Sequence, residues 1–386
     1  MKYFLLRHLV CPLDNEQLDI EIFEAEENEL TVDDMARIQA RGDSSDDFGT
    51  EIIHGVLINN RKKWLYPVFN TVPRLLLFEH PLLKLFAHKF KNELRSLFGK
   101  GYSFPSGPRI PGESNVLASF SNEWTSYGYN EDVYWGQSTK AYNNSLFWTL
   151  NNPAFDLKDK LVMELGIGSG GSANDFSKRF NCNLIGVDLG YSTDVAAQTF
   201  RSNPFFHIVQ ASVFALPFPR QHFDFVYSHG VIHHTYNTLH AFRSLSQFPK
   251  QGGRLYVWVY SWKNEQRSAG RKVIMLLERL IRPWCSLLPG WLQTIVLQPI
   301  VPLYIFHQNA FQAGKQGMAK YNWREALHAA RDRFTPRFIH RHSEAEVESW
   351  FRDQNFRDIQ SLSSRSVPSF VPPGFYMNTG VAGVKV

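Results

Sequence analysis

Between residues 160 and 261, short apolar runs alternate with amphipathic stretches along the chain. The runs KLVMEL, NLIGVDL, FHIVQAS, FDFVYSHGV and RLYVWVYS are largely apolar, which is typical of strands covered on both faces. The stretch SANDFSKRF, between the first two runs, has the spacing of a surface helix. A second helix is predicted through TLHAFRSLSQF, with Gly252–Gly253 as its stop signal. Strands and helices in this alternation predict a doubly wound, mostly parallel α/β sheet.

Two regions precede this pattern. Residues 1–80 have an acidic first half and a second half with strand-like alternation and turn residues, which predicts a small α+β domain. Residues 81–158 are predicted to form a basic helical linker, a Pro/Gly/Ser-rich stretch and an aromatic-rich cap. In that cap, Trp124, Tyr134 and Trp135 are candidates to close over a ligand.

The remaining chain is predicted to complete the sheet around an insertion. Residues 159–262 carry the central pattern, and residues 263–335 interrupt it with apolar helices. Residues 336–386 resume the pattern with one helix and the strands RDIQSL and TGVAGVKV. At the start of that helix, Ser343 and Glu346 have the spacing of a capping box.

The insertion contains a long uncharged run, because no Asp, Glu, Lys or Arg occurs from residue 283 to residue 314. A membrane-spanning helix needs about 20 mostly apolar residues. Helix-breaking residues interrupt this run at Pro289, Gly290, Pro299 and Pro302. The sequence therefore favours buried helices of a lid or a homodimer contact, and it leaves a peripheral membrane contact open.

Composition bounds the class of protein. The 386 residues are 44% hydrophobic and 20% charged, which predicts a globular chain with more than one domain. A net charge of +5 is small for this length and does not favour nucleic-acid binding. Three widely separated cysteines exclude a disulfide framework and favour a reducing compartment. Charged residues interrupt the apolar N-terminal stretch, so no signal peptide is predicted and a cytoplasmic location is expected.

The candidate chemistry lies in LVMELGIGSGGSAN, residues 161–174. A glycine loop after the first strand of a parallel sheet lies where such sheets bind ligands. Glu164 precedes the first glycine by two residues, so its carboxylate would repel a pyrophosphate and attract an ammonium group. S-adenosylmethionine carries an ammonium group and no phosphate. Asp188, at the end of the second strand, suits the ribose hydroxyls of either type of cofactor. A generic turn without a ligand is the alternative.

Four segments together resemble class I S-adenosylmethionine-dependent methyltransferases: ELGIGSGG, GVDL, ALPFPRQHFDFVYSHGVIHH and GGRLYVWVY. The resemblance covers roughly residues 120–386 and implies a Rossmann-like fold, methyltransferase activity and S-adenosylmethionine as cofactor. It implies that Glu164 holds the amino group and that Gly166, Gly168 and Gly170 pass under the methionine and ribose parts.

The same resemblance implies further contacts. Asp188 would bind the ribose, and Leu189 would pack near the adenine. Ser212 stands where the family carries an acidic residue that accepts from the adenine amino group; a serine hydroxyl can still accept, but it is shorter and neutral. The backbone N–H of Val213 would donate to the ring, and His229 would form a wall of the cofactor site.

His233 and His234, in GVIHH, are the candidates for a general base because they follow the fourth strand. The alternative is that they only shape the pocket. His340 and His342, in FIHRH, could also reach the substrate, although a structural role is favoured for both. No metal-ligand spacing links these histidines, so no metal is predicted.

The N-terminal region has a resemblance of its own. LVCPLDNEQL and GVLINNRKKWLYPVFNTVPRLL resemble the small zinc-ribbon-like domain that partners and activates tRNA and protein methyltransferases. That family carries two CxxC pairs, whereas this chain has Cys11 and Asp14, then Asn59 and Lys62. We therefore expect the fold without zinc, and an unrelated small β-rich domain is the alternative.

The leading prediction is an S-adenosylmethionine-dependent methyltransferase acting on a small-molecule acceptor, such as a specialised metabolite. One alternative is an RNA or protein methyltransferase with a fused activator domain. Another is a non-catalytic cofactor-binding partner subunit. Glu164 argues against an NAD-dependent oxidoreductase. The sequence leaves open whether oxygen, nitrogen or carbon receives the methyl group.

Overall fold

The computed structural model describes residues 1–126, 133–134, 136–152, 155–263, 269–315 and 318–386. These residues group into two compact units. The first unit comprises residues 1–110, 157–226 and 247–250, and the second comprises residues 111–156, 227–246 and 251–386. The predicted domains, in contrast, are continuous stretches of the chain, and their boundaries stay predictions.

Residues 1–110 contain a four-stranded antiparallel sheet in the order β1-β2-β3-β4. The predicted strand-like alternation forms the hairpin of β2 and β3, where Val56, Leu57, Leu65 and Tyr66 are fully buried. The strands are β1 Asp19–Glu27, β2 Thr50–Asn59, β3 Trp64–Phe69 and β4 Val72–Pro73. The helices are α1 Tyr3–Leu6, α2 Val32–Ala40, α3 Asp46–Gly49, α4 Pro81–Lys89 and α5 Lys91–Gly99.

The main sheet has seven strands in the order β12-β13-β11-β10-β7-β8-β9. The pairs β7-β8 and β8-β9 are parallel, whereas β13 is antiparallel to both β11 and β12. The strands are β7 Leu161–Leu165, β8 Asn183–Asp188, β9 Phe206–Gln210, β10 Phe223–His229, β11 Pro249–Val259, β12 Phe356–Ser361 and β13 Thr379–Lys385. A short pair comprises β5 Val133–Tyr134 and β6 Gln137–Ser138. The predicted fold class, a mostly parallel Rossmann-like α/β sheet beside a small N-terminal domain, is confirmed.

Helices alternate with these strands, as the apolar spacing predicts. Before and within the first half of the sheet they are α6 Glu113–Ser126, α7 Thr139–Leu150, α8 Gly171–Phe180, α9 Ser192–Thr199 and α10 Thr238–Leu245. The insertion contains α11 Ala269–Cys285, α12 Gly290–Leu297, α13 Val301–His307 and α14 Trp323–Phe334. The last two are α15 Glu344–Asp353 and α16 Pro373–Tyr376. Within the described ranges, none of the helices combines the length and the apolar character that crossing a bilayer requires.

The predicted end of α10 is wrong. The helix ends at Leu245, and β11 begins at Pro249, so Gly252–Gly253 lie within a strand. The Phe248 carbonyl already accepts a hydrogen bond from the backbone N–H of Phe223 at 3.0 Å. Extended pairing therefore begins before the glycines are reached, and it overrides their local preference.

Half of the predicted capping box of α15 is present. The Ser343 hydroxyl accepts a hydrogen bond from the Glu346 N–H at 3.2 Å. The Glu346 carboxylate, however, lies 2.9 Å from Nδ1 of His342, and it does not return to the backbone of Ser343. The Glu346 carboxylate therefore pairs with His342 and not with the N-cap N–H.

Candidate functional site

In the first unit, the loop that follows β7 has the backbone conformation of a ligand cradle. All five residues of β7 are buried, and the chain then turns through Gly166, Gly168 and Gly170. These glycines have φ values of 85°, 54° and 79°, which residues with a Cβ rarely adopt. The loop leads directly into α8, whose N-cap is Gly170. The backbone conformation of this loop therefore explains why glycine occupies these three positions.

Packing gives Gly170 a second constraint. A Cβ on Gly170 would lie 2.7 Å from the Cβ of Ala196 in α9. Similarly, a Cβ on Gly186 of β8 would lie 2.7 Å from a side-chain carbon of Ile167. The contact with Ala196 explains the glycine at position 170 without a ligand, so its predicted place under the cofactor stays a prediction.

The carboxylate of Asp188 joins two loops at the end of β8. One oxygen accepts a hydrogen bond from the Gly168 N–H at 3.0 Å, and the other accepts from the Gly190 N–H at 2.7 Å. Burial raises the pKa of Asp188 above its usual range, and the hydrogen bonds from Gly190 and Gly168 oppose this shift. Each carboxylate oxygen can accept more than one hydrogen bond, so Asp188 can still accept from a ligand hydroxyl.

Glu164 lies near the carboxyl end of β7, in register with Gly186 of β8. Glu164 is only 6% exposed. A carboxylate held among buried strand residues is weakly screened, so it favours a nearby cation and disfavours a phosphate. This is the charge preference that the sequence predicts for the cofactor site.

Ser212 uses its hydroxyl inside its own turn. The hydroxyl accepts a hydrogen bond from the Phe214 N–H at 3.1 Å, and the Ser212 carbonyl accepts from the Ala215 N–H at 3.0 Å. Both Ser212 and Val213 are buried, at 6% and 9% exposure. The turn holds Val213 just after β9, and the predicted adenine contacts of both residues stay predictions.

Sequence reasoning missed a buried polar network in the first unit. Gln210, the last residue of β9, is fully buried and donates from Nε2 to the Leu189 carbonyl at 2.9 Å. Its Oε1 accepts from Nη1 of Arg74 at 2.7 Å. Nη2 of Arg74 donates to Asp194 at 2.5 Å and to the Phe69 carbonyl at 3.2 Å. We call Arg74, Asp194 and Gln210 the Arg74 network.

The Arg74 network ties the N-terminal region to the loop that carries Leu189. The backbone supports the same junction, because Arg74 pairs with Gln210 as a parallel bridge and the Leu75 N–H donates to the Gln210 carbonyl at 2.9 Å. The side chain of Arg74 is 0% exposed. One sequence signal was available, since this arginine interrupts the apolar stretch TVPRLLLF. A buried cation needs paired acceptors, but the sequence could not identify them.

In the second unit, His229 at the end of β10 belongs to a cluster of aromatic side chains. Its ring stacks on Trp258, with centroids 4.4 Å apart and an interplanar angle of 15°. The Trp258 indole N–H donates to the Phe375 carbonyl at 2.9 Å, which fixes the indole. Burial lowers the pKa of His229 to about 3, so this imidazole is neutral at physiological pH.

His233 and His234 lie in a single 3-10 turn, Ile232–His234, and are 0% and 4% exposed. Their ring centroids are 4.2 Å apart. Burial, followed by repulsion from His234, keeps the pKa of His233 well below its usual range. Among the described residues, neither ring nitrogen of His233 has a hydrogen-bond partner. Nδ1 of His234 lies 3.1 Å from the Phe338 carbonyl, which requires a proton on that nitrogen.

The other candidate residues have structural contacts or fall outside the description. Nε2 of His340 donates to the Thr235 carbonyl at 3.0 Å, and Nδ1 of His342 lies 2.9 Å from Glu346. Trp135 and the side chains of Trp124 and Tyr134 lie outside the described residues.

The family comparison bears on the central part of the chain. Residues 163–257 match the family model described as a methyltransferase domain. The matched residues begin in β7, include the glycine loop and Asp188, and end in β11. This match shows a methyltransferase domain in the central part of the chain, in agreement with the predicted enzyme class. Among curated protein sequences, no relative of the chain is detected.

Solved structures with weak similarity complete the comparison. One chain of a solved complex that contains the Haloferax volcanii Trm112 methyltransferase activator is 13% identical to this chain, with a TM-score of 0.41. The match covers 72% of this chain and 99% of that chain. Haemonchus contortus phosphoethanolamine N-methyltransferase 2, solved with S-adenosylmethionine, is 15% identical, with a TM-score of 0.42 over 74% of this chain and 62% of that chain.

A third structure is the Streptomyces coelicolor A3(2) geranyl diphosphate C-methyltransferase, solved with Mg²⁺, geranyl diphosphate and S-adenosyl-L-homocysteine. It is 12% identical, with a TM-score of 0.42 over 72% of this chain and 100% of that chain. At these TM-scores, the three similarities assign neither a substrate nor a partner to this chain.

Proposed function

We propose that the protein transfers the methyl group of S-adenosylmethionine to an uncharged small molecule. The observation that carries this choice of acceptor is the neutral aromatic cluster at the end of β10, and the predicted place of His229 in the cofactor site stays a prediction. His229 stacks on Trp258 and lies 5.4 Å from the Phe375 ring, centroid to centroid, and Phe375 in turn contacts Tyr142 at 5.4 Å. A neutral aromatic cluster suits an apolar or aromatic acceptor better than a polyanion.

The first unit supplies residues that fit the cofactor. The Glu164 carboxylate would attract the ammonium group, and Asp188 would accept hydrogen bonds from the ribose hydroxyls. The loop through Gly166 and Gly168 lets a ligand approach the backbone closely, because no Cβ is present. When bound, S-adenosylmethionine supplies a methyl group already activated by its sulfonium charge. The protein's remaining tasks are to orient the acceptor and to exclude water.

The base role of the histidine pair stays a prediction, and the two histidines differ in how they could serve it. His233 is fully buried and neutral, so it could reach an acceptor only after a rearrangement. His234 carries its proton on Nδ1, which leaves Nε2 as the basic nitrogen. A base is needed only if the acceptor is protonated when it binds. Both His233 and His234 therefore stay candidates for the base.

We further infer that residues 1–80 are a built-in counterpart of the zinc-ribbon-like activator and that they fold without zinc. Asp14 accepts a hydrogen bond from the Asn59 side chain at 2.9 Å, and Asn59 accepts from the Lys62 backbone N–H at 2.7 Å. Cys11 lies 3.3 Å from the Tyr66 hydroxyl. Hydrogen bonds thus connect positions that a zinc ion would otherwise join.

The donor set at these positions does not fit zinc. Structural zinc sites use four Cys or His ligands, whereas only Cys11 among the four residues is of that kind. Over the described ranges, no group of three or more His, Cys, Asp or Glu side chains is arranged to hold a metal ion. The absence of zinc from the whole protein stays a prediction.

Calorimetric titration with S-adenosylmethionine, S-adenosylhomocysteine and NAD⁺ tests the cofactor site. We expect Glu164→Gln and Asp188→Asn each to weaken S-adenosylhomocysteine binding by about tenfold to a hundredfold, because each removes a charged hydrogen-bond acceptor. The controls are Glu93→Gln and Asp33→Asn, which change exposed acids and should bind normally. Because burial raises the pKa of Asp188, affinity should fall on acidification before an ordinary aspartate, near pH 4, would titrate.

Incubation with methyl-labelled S-adenosylmethionine and cell extract, followed by size fractionation, tests the acceptor. We expect label in the small-molecule fraction and less of it with Trp258→Ala. Label confined to RNA or protein would overturn the small-molecule acceptor. Cofactor binding without any label would support a non-catalytic cofactor-binding subunit instead.

A further inference from the structure

The helical insertion of the second unit exposes an unusual amount of apolar surface. Of the twenty large hydrophobic side chains exposed among the described residues, eleven lie between residues 273 and 311. They are 39–75% exposed, and Trp284 and Trp291, at 75% and 67%, are two of the most exposed. The eleven, which we call the apolar face, are Val273, Leu276, Leu280, Trp284, Leu287, Trp291, Ile295, Val296, Leu303, Phe306 and Phe311.

The apolar face is not the packing face of these helices. On α11 and just beyond its end, the exposed members recur every three or four residues, so they form one stripe. Leu277, Ile281 and Cys285 point the other way and pack with Ala330 and Phe334 of α14. Since α11 already has a buried apolar side, the exposed stripe is not needed for packing within this unit.

The exposed charges of the segment that carries the apolar face are of one sign. Between residues 269 and 334 the only acidic residues are Glu278, Glu325 and Asp332, and all three are buried, at 1%, 9% and 8% exposure. Glu278 is neutralised by Arg282, Arg333 and Arg341, at 3.2, 3.0 and 2.6 Å.

The described basic side chains of the same segment are largely at the surface. Five of them are exposed: Lys272, Arg279, Lys315, Lys320 and Arg324. The uncharged run from residue 283 to residue 314 lies between them in sequence. The outward surface of the insertion is therefore apolar and cationic, with its acids buried.

We infer that the apolar face binds peripherally to an anionic lipid bilayer. An exposed apolar surface in a segment whose exposed charges are all cationic is what an interfacial segment presents to acyl chains and anionic headgroups. The indoles of Trp284 and Trp291 suit the boundary between headgroups and hydrocarbon. A second copy of the chain would bring cations against cations, so charge complementarity favours the bilayer. This inference does not depend on the proposed acceptor.

Sedimentation of the full chain with vesicles tests the inference. We expect binding to vesicles of phosphatidylcholine and phosphatidylglycerol in equal amounts, and much weaker binding to phosphatidylcholine alone. Trp284→Gln with Trp291→Gln should reduce the partition coefficient at least about tenfold, because two indoles leave the interface. Lys272→Gln and Arg279→Gln should each reduce the partition coefficient about fivefold, and added salt should reduce it too.

Matched variants at exposed positions of the first unit provide controls. Leu85→Gln with Val32→Gln removes apolar side chains that are 52% and 85% exposed, and Lys91→Gln with Arg95→Gln removes two exposed cations. All four substitutions should leave vesicle binding unchanged. Because the substituted side chains of the insertion are exposed too, circular dichroism should show every variant folded.

Two results would overturn the inference. One is vesicle binding that is absent, or that none of the insertion variants weakens. The other is a dimer in analytical ultracentrifugation that Trp284→Gln with Trp291→Gln dissociates while vesicles bind nothing. The second result would show that another copy of the chain covers the apolar face.

Discussion

The N-terminal region and the helical insertion differ in which of their charged side chains they bury. Residues 1–110 bury cations such as Lys2 and Arg74 and expose most of their acids, including Glu24 at 59% side-chain exposure. Residues 269–334 bury all their acids and expose five cations together with the apolar face. The first region pairs its buried charge inside its own unit through the Arg74 network. The second directs both charge and apolar surface outward, which is typical of a region with an external partner.

Removing Arg74 should break the N-terminal side of this comparison most severely. Arg74→Met leaves Asp194 and Gln210 without their buried partner, so we expect a loss of about 3–5 kcal/mol of unfolding free energy. Because Gln210 also holds the Leu189 carbonyl, affinity for S-adenosylhomocysteine should fall too. Urea unfolding and calorimetric titration measure the two effects.

Two further variants make this prediction specific. Arg74→Lys keeps the charge but loses the forked geometry, so its effect should be intermediate. Arg95→Met, at an exposed position, should leave stability and affinity unchanged. If Arg74→Met is as stable as the wild type, the network does not hold the N-terminal region in place.

Acid should weaken the N-terminal region through a second contact. Nδ1 of His8 lies 2.8 Å from Nε2 of His222, and burial, followed by repulsion from His222, lowers the pKa of His8 to about 3. The unfolded chain, with a histidine pKa near 6.5, then binds the proton first. The stability conferred by neutral His8 is therefore complete above about pH 6.5 and is lost towards pH 3, by up to about 1.4 kcal/mol per pH unit.

His8→Phe should flatten this slope in urea unfolding followed from pH 7 to pH 4, since phenylalanine does not titrate. The exposed His88→Phe serves as the control and should keep the wild-type slope. An unchanged slope in His8→Phe would show that other buried histidines, such as His207, set the acid sensitivity.

The smallest expected effect concerns the N-terminal cap of one helix in each region. Thr31 and Asn322 both form complete capping boxes, at α2 and α14. Thr31→Ala and Asn322→Ala should each cost about 1 kcal/mol of unfolding free energy. Because α14 carries the buried Ala330 and Phe334, the second variant should also loosen the insertion, measured by hydrogen exchange in α11. Equal exchange in both variants would contradict this coupling.

The local sequence pattern was sufficient to predict most helices and strands and the glycine loop. Strands such as β7 and β8 are apolar runs long enough to be recognised alone, and the positive φ values at Gly166 and Gly168 require a residue without a Cβ. Local pattern failed at α10, where pairing of Phe248 with Phe223 ended the helix before its glycines. It also failed to separate a ligand cradle from close packing at Gly170, because Ala196 lies in another helix.

By itself, the sequence determined the order and type of most elements and the place of the carboxylates Glu164 and Asp188 at two strand ends, from which the enzyme class was predicted. Only the tertiary structure decided which buried groups pair, as in the Arg74 network, and which apolar residues of the insertion remain at the surface. The reason is physical. Helix and strand periods and backbone conformation depend on near neighbours in the chain, whereas burial and charge pairing depend on groups that folding brings together from distant positions.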